Sequence, residues 1–139
     1  MLAGYAGGLV REARHPAVPA QNLQLAGWLR AHHLRYGLGG YWLSSIVTVE
    51  TGGQVKVRAL MQFTLQRDLW EAKNAWYVPR GQYADFVVLE NLPGFYYHWE
   101  PVALVHRYFG DPAATQHVGP YTIMVWHRNL LPLIPGNPR

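Results

Sequence analysis

Two β-branched runs, Ile46-Val47-Thr48-Val49-Glu50 and Gln54-Val55-Lys56-Val57-Arg58, flank Gly52-Gly53 and restrict the fold more than any other feature of the chain. By propensity alone they form a β-hairpin with a type I′ turn. The same letters also fit a strand over 36–40, a helix over 41–50 stopped by the glycines, and a strand over 54–60. Leu43, Ile46, Val47 and Glu50 then share one side of the helix, and Gly52 becomes its C-terminal cap. β-branching opposes that helix only weakly, by roughly a few tenths of a kcal/mol per residue. The residues alone leave both arrangements open.

The remaining elements read more plainly. Asn22 is placed to cap a helix over 22–34, with Leu25, Trp28, Leu29 and His32 at helical spacing and Gly37 just beyond its end. A short helix is expected over 65–77, before Pro79. Ala84 to Glu90 is an apolar run without alternation, as in a strand covered on both faces. Residues 91–99 form a loop. Pro101 suits the first turn of a helix whose apolar side is Val102, Leu104, Val105, Tyr108 and Phe109, ending at Gly110-Asp111-Pro112. Thr115 to Val118, Gly119-Pro120 and Tyr121 to Trp126 form a terminal hairpin. Pro132, Pro135 and Pro138 close the chain as a tail. Strands alternating with helices predict an α/β class. The expected architecture is a small sandwich with a mostly parallel sheet of four to five strands and a C-terminal antiparallel hairpin.

A chain of 139 residues is one domain by size. Residues 1–20 read as an apolar, small-residue stretch and a Pro-containing linker, 21–134 as the domain, and 135–139 as the tail. Charged residues make up 14%, against about a quarter in ordinary soluble domains. The net charge of +4 rests on scattered arginines with no basic run to track a phosphate backbone, so nucleic acid is not an expected partner. The lack of cysteine excludes disulfides, thiol catalysis and Cys-based zinc sites. No stretch of about twenty apolar residues is present for a membrane-spanning helix.

Gly37-x-Gly39-Gly40 after a strand could turn backbone N–H groups toward an anion. It lacks the third glycine and the acidic residue of a dinucleotide fingerprint, so the glycines read as turn and packing devices. Tyr41 and Trp42 follow, where ligands of open α/β sheets sit; they read either as a platform for a sugar face or as core aromatics. Tyr96, Tyr97, His98 and Trp99 lie in the loop after the 84–90 strand, at the same end. They read either as a binding patch or as a self-packed lid. The seven histidines are dispersed without an acidic cluster, so no metal or other cofactor is expected. Nor does any nucleophile motif accompany Ser44 or Ser45.

His33-Leu34-Arg35-Tyr36-Gly37-Leu38-Gly39-Gly40-Tyr41-Trp42, with Val47-Thr48-Val49, Gly52-Gly53 and Val55-Lys56-Val57-Arg58, resembles part of a known domain type. So do Phe109-Gly110-Asp111-Pro112-Ala113, Val118 to Trp126 and Asn129-Leu130-Leu131. The resemblance is to the C-terminal soluble domain of bacterial polytopic membrane proteins similar to protein-mannosyltransferase-like, lipid-sugar-dependent glycosyltransferases. It covers most of 21–134 and favours strand–helix–strand over hairpin for 36–60. It implies a membrane-attached domain on the extracytoplasmic face, with 1–20 as a membrane-proximal remnant and linker. The implied partners are the membrane portion of the same polypeptide and a glycan or lipid-linked sugar. The acidic catalytic residue of such enzymes sits between early membrane helices and has no counterpart here, so the domain is expected to be non-catalytic by itself. The alternative is a stand-alone α/β module for a carbohydrate or nucleotide-like ligand.

Overall fold

The computed structural model describes residues 20–61, 64–68, 74–90 and 102–137. Helix α1 is Ala20–Ala31, strand β1 Tyr36–Gly39, helix α2 Tyr41–Glu50 and strand β2 Lys56–Ala59. Further along the chain come β3, Phe86–Glu90, and α3, Val102–Phe109, then the strands β4, Ala114–Val118, and β5, Tyr121–Val125. The strands form one five-stranded sheet in the order β2-β1-β3-β5-β4. β1 pairs in parallel with both β2 and β3, whereas β3–β5 and β5–β4 are antiparallel. The α/β class and the C-terminal hairpin are therefore as expected. Between β1 and β2 the chain is strand–helix–strand and not a hairpin.

The end of α2 shows why both arrangements suited the letters. Gly52 and Gly53 have φ of +61° and +80°, and a type I′ turn also needs two positive values. Here they close a Schellman motif, with Gly53 N–H donating to Thr48 O at 2.9 Å and Gly52 N–H to Val49 O at 3.0 Å. The Thr51 hydroxyl donates to Val47 O at 2.8 Å and accepts from Val55 N–H at 3.0 Å, tying the helix end to the approach of β2.

α1 stops earlier than the spacing predicts. His33 adopts φ +57°, and Leu34 N–H reaches back to Leu29 O at 3.0 Å in a second Schellman motif. Leu34 then packs into the core that holds Leu29. His32 and His33 thus lie beyond the helix, with His32 stacked on Trp28 at 3.8 Å between ring centroids. Asn22 is not the cap but a residue of the first described turn, buried beneath β5 and hydrogen-bonded by Tyr121.

The sheet is covered on both faces. Leu25 and Leu29 of α1 and Leu43 and Val47 of α2 pack over Val57, Phe86, Val88, Tyr121 and Ile123. On the opposite face, Val105 and Phe109 of α3 join Leu38, Val87, Leu89, Met124 and Trp126. Alternation along β3 feeds both cores, and Phe86 to Leu89 are fully buried, as the uninterrupted apolar run predicts.

One expectation fails on this second face. The helix expected over 65–77 is not formed at 65–68: Leu65 has φ +55° and Arg67 makes an isolated antiparallel bridge to Leu60. A 3-10 turn occupies Asn74–Tyr77, and 69–73 lie outside the described residues. Tyr77 is buried and donates its hydroxyl to Ala59 O at 2.6 Å, so tertiary anchoring replaces helical periodicity. Leu130, Leu131 and Ile134 are buried in the same core, and Asn137 Nδ2 donates to Tyr77 O at 2.6 Å and Leu131 O at 2.7 Å. Prolines set the path of this segment, but its leucines and isoleucine decide where it lies.

Candidate functional site

From β1 the chain crosses through α2 to β2 on one side; from β3 it continues to α3 on the opposite face of the sheet. Adjacent parallel strands whose connections diverge leave a crevice beyond their carboxyl ends, where open α/β sheets bind ligands. Here that position lies beyond Gly39 of β1 and Glu90 of β3.

The start of α2 forms one wall. Gly40 is its N-cap, with φ −69° and no side-chain oxygen to accept from the first helical N–H groups. The glycines ahead of it are packing devices. A Cβ on Gly37 would overlap the Phe86 ring, and one on Gly39 would come 3.1 Å from Val57 Cγ1.

Glu90 forms the other wall. It follows Phe86 and Val88 on the α1/α2 side of the sheet, so period-two alternation turns its carboxylate the same way. Its Oε1 lies 4.0 Å from where a Gly40 Cβ would stand. Burial pushes its pKa above the usual 4.5. Among the described residues no hydrogen bond or ion pair reaches this carboxylate. A phosphate approaching the uncapped start of α2 would meet this negative charge instead of an open ring of N–H groups.

Tyr121 lies directly opposite Glu90 in the antiparallel register. Its hydroxyl donates to Asn22 Oδ1 across to α1. Burial, and then the nearby Glu90 charge, push the phenol up to about 12, so it remains protonated. With its proton committed to Asn22, the phenol oxygen retains only acceptor capacity. Tyr121 itself is buried against α1, so the acceptor at this end of the sheet is the half-buried Glu90 carboxylate.

Tyr41 and Trp42 begin α2, at the mouth of the crevice. Their side chains, and the whole of Tyr96, Tyr97, His98 and Trp99, lie outside the described residues. The sequence reading missed Glu90, Tyr121 and Asn22 as a group. One signal was present: Glu90 is the acidic residue that ends an otherwise apolar buried strand. Nothing local announced Tyr121 or Asn22, which meet across 99 positions of sequence.

A second polar cluster is structural. Arg58 on β2 is buried and donates to Tyr83 O at 2.8 Å and to Gln82 Oε1 at 2.7 Å. Desolvation lowers its pKa from the usual 12.5, with the nearby tyrosines acting in the opposite direction. These bonds fasten the 82–83 segment to the sheet. Among the described residues, no three His, Asp or Glu side chains gather as a metal site, and no helix is long and apolar enough to cross a membrane. Comparison with protein-family models, with curated proteins and with solved structures gave no match.

Proposed function

We propose that this chain is a non-catalytic, membrane-attached domain on the extracytoplasmic face of a glycosyltransferase-like protein, where it helps hold a glycan or a lipid-linked sugar. The observation that supports the binding role is the half-buried Glu90 carboxylate beside the uncapped start of α2, at the end of the sheet where the connections from β1 and β3 diverge. Sugar hydroxyls supply the donors that such a surface lacks. The Glu90 carboxylate disfavours the nucleotide-like ligand of the alternative reading, because a phosphate there would bring like charges together. The sequence resemblance supports the membrane attachment and the glycosyltransferase context.

Amide shift perturbation on titration with neutral oligosaccharides tests the binding role. Shifts centred on Gly40, Glu90 and Tyr121 are expected; none at millimolar sugar would refute it. Expression of the complete reading frame, followed by membrane fractionation and protease accessibility from the outer face, tests the placement. Recovery in the soluble cytoplasmic fraction would reject it.

A further inference from the structure

The two edges of the sheet are finished differently. β2 is closed by the chain itself. Lys56 and Leu60 N–H bond inward to Arg35 O and Gly39 O, so the backbone groups of Val57 and Ala59 turn outward. Val57 N–H donates to the Thr48 hydroxyl at 3.4 Å. Ala59 O accepts from Tyr77 OH at 2.6 Å and from Asp68 N–H at 3.1 Å, and Leu60 bridges to Arg67.

β4, at the other edge, has no such cover. Its residues pair one-to-one with β5 through the two-residue turn Gly119-Pro120. Val118 and Tyr121 flank that turn as a hydrogen-bonded pair, so alternation turns the N–H and C=O of Thr115 and His117 away from β5. Among the described residues no hydrogen bond reaches these four backbone groups. Ala114, Thr115, Gln116 and His117 are all exposed, so neither helical layer screens the strand. Ala114–Val118 also lacks the charges, proline and bulge with which sheet edges usually repel a second strand.

We propose that β4 pairs antiparallel with β4 of a second copy about a two-fold axis at Gln116, joining two five-stranded sheets into one. In this register Thr115 of each copy exchanges hydrogen bonds with His117 of the other, which uses all four outward groups. Ala113 does not extend it, because its N–H is already donated to Val125 O at 2.8 Å. The side chains are self-complementary. Gln116 meets Gln116, an amide that both donates and accepts. The Thr115 hydroxyl meets the His117 imidazole, a pairing of the kind that His117 and Thr122 already make within the sheet at 3.1 Å. That self-complementarity selects a second copy over an unrelated peptide. The proposal is independent of the glycan reading.

A pairing this short buries less than a standard interface, so sedimentation equilibrium should show mainly dimer at about 0.5 mM and mainly monomer at about 5 µM. Hydrogen exchange locates the contact. The Thr115 and His117 amides should exchange about fivefold more slowly at the higher concentration, whereas the Gln116 amide, bonded to β5, should not change. Gln116→Lys sets like charges across the axis and should be monomeric, as should Gln116→Glu, while an equimolar mixture of the two should dimerise. Thermal unfolding establishes that each variant is folded, and the exchange comparison on the intact chain decides without them. A monomer at the higher concentration, a dimer whose Thr115 and His117 amides stay unprotected, or a dimer that Gln116→Lys leaves unaltered overturns the proposal. A mixture that stays monomeric overturns the pairing about Gln116.

Discussion

At the scale of single residues, the glycines of Gly37-x-Gly39-Gly40 have different tasks. Gly37 makes room for the Phe86 ring and Gly39 for Val57, whereas a Cβ on Gly40 would meet only Glu90 Oε1, at an ordinary contact distance of 4.0 Å. Gly37→Ala is therefore expected to destabilise the chain by about 1–3 kcal/mol, the usual range for overpacking a filled core. Urea denaturation would register this as a lower midpoint at unchanged slope, and the loss should shrink in a Phe86→Leu background. An unchanged midpoint for Gly37→Ala would mean that the ring moves aside freely. The packing role of these glycines was legible in the sequence. Phe86 as the ring concerned was not, because the contact joins β1 to β3 across 49 positions. Tyr121 and Asn22 were hidden for the same reason: hydrogen-bond partners distant in sequence leave no local pattern.

At the scale of elements, α2 and its C-terminus form the most informative unit. A helix of Tyr-Trp-Leu-Ser-Ser-Ile-Val-Thr-Val-Glu has little intrinsic preference for its conformation. It is held by Leu43 and Val47 in the core and by the Schellman closure at Gly52 and Gly53. Gly52 has φ +61° with open space where a Cβ would stand, so substitution strains the backbone without a steric clash. Gly52→Ala should cost about 1–2 kcal/mol, the penalty of a left-handed conformation for an L side chain. Thermal unfolding monitored by circular dichroism would measure it. A neutral Gly52→Ala would show that the turn can be closed in another way. The end of α1 follows the same rule with a less favourable residue, since His33 stands where glycine usually does. For that reason its position could not be read from a glycine signal.

At the scale of the molecule, the second face of the sheet is completed by the chain's own C-terminal segment. Leu130, Leu131 and Ile134 share a core with Leu89 and Trp126. Deletion of residues 130–139 should abolish cooperative unfolding, observed as a broad thermal transition with dye binding to exposed apolar surface. A sharp transition in the truncated chain would contradict this. A second consequence concerns pH. Burial raises the pKa of both Asp85 and Glu90, for Asp85 against the lowering effects of a backbone hydrogen bond and His127. Between its usual and its folded value, each carboxyl holds a proton more firmly in the folded chain than in the unfolded one. Their contribution to stability is thus fully present below the usual values of 3.8 and 4.5 and is lost as pH rises through the folded values. Glu90→Gln should accordingly be more stable than the parent at neutral pH, and the difference should disappear below the usual carboxyl pKa of 4.5. Urea midpoints taken across that range would measure it. A difference independent of pH would assign the effect to packing and not to charge.

The sequence by itself determined the α/β class, the buried character of β3, the C-terminal hairpin and the absence of cysteine chemistry. Each depends on composition or on spacing within one element. The tertiary structure decided what lies between β1 and β2. Gly52 and Gly53 take the positive φ values that a hairpin turn and a helix stop both accept, so local conformation could not choose. Burial of Leu43 and Val47 against Val57 and Phe86 made the choice. Tertiary structure also produced the candidate site, because Asn22, Glu90 and Tyr121 become neighbours only when α1, β3 and β5 pack together.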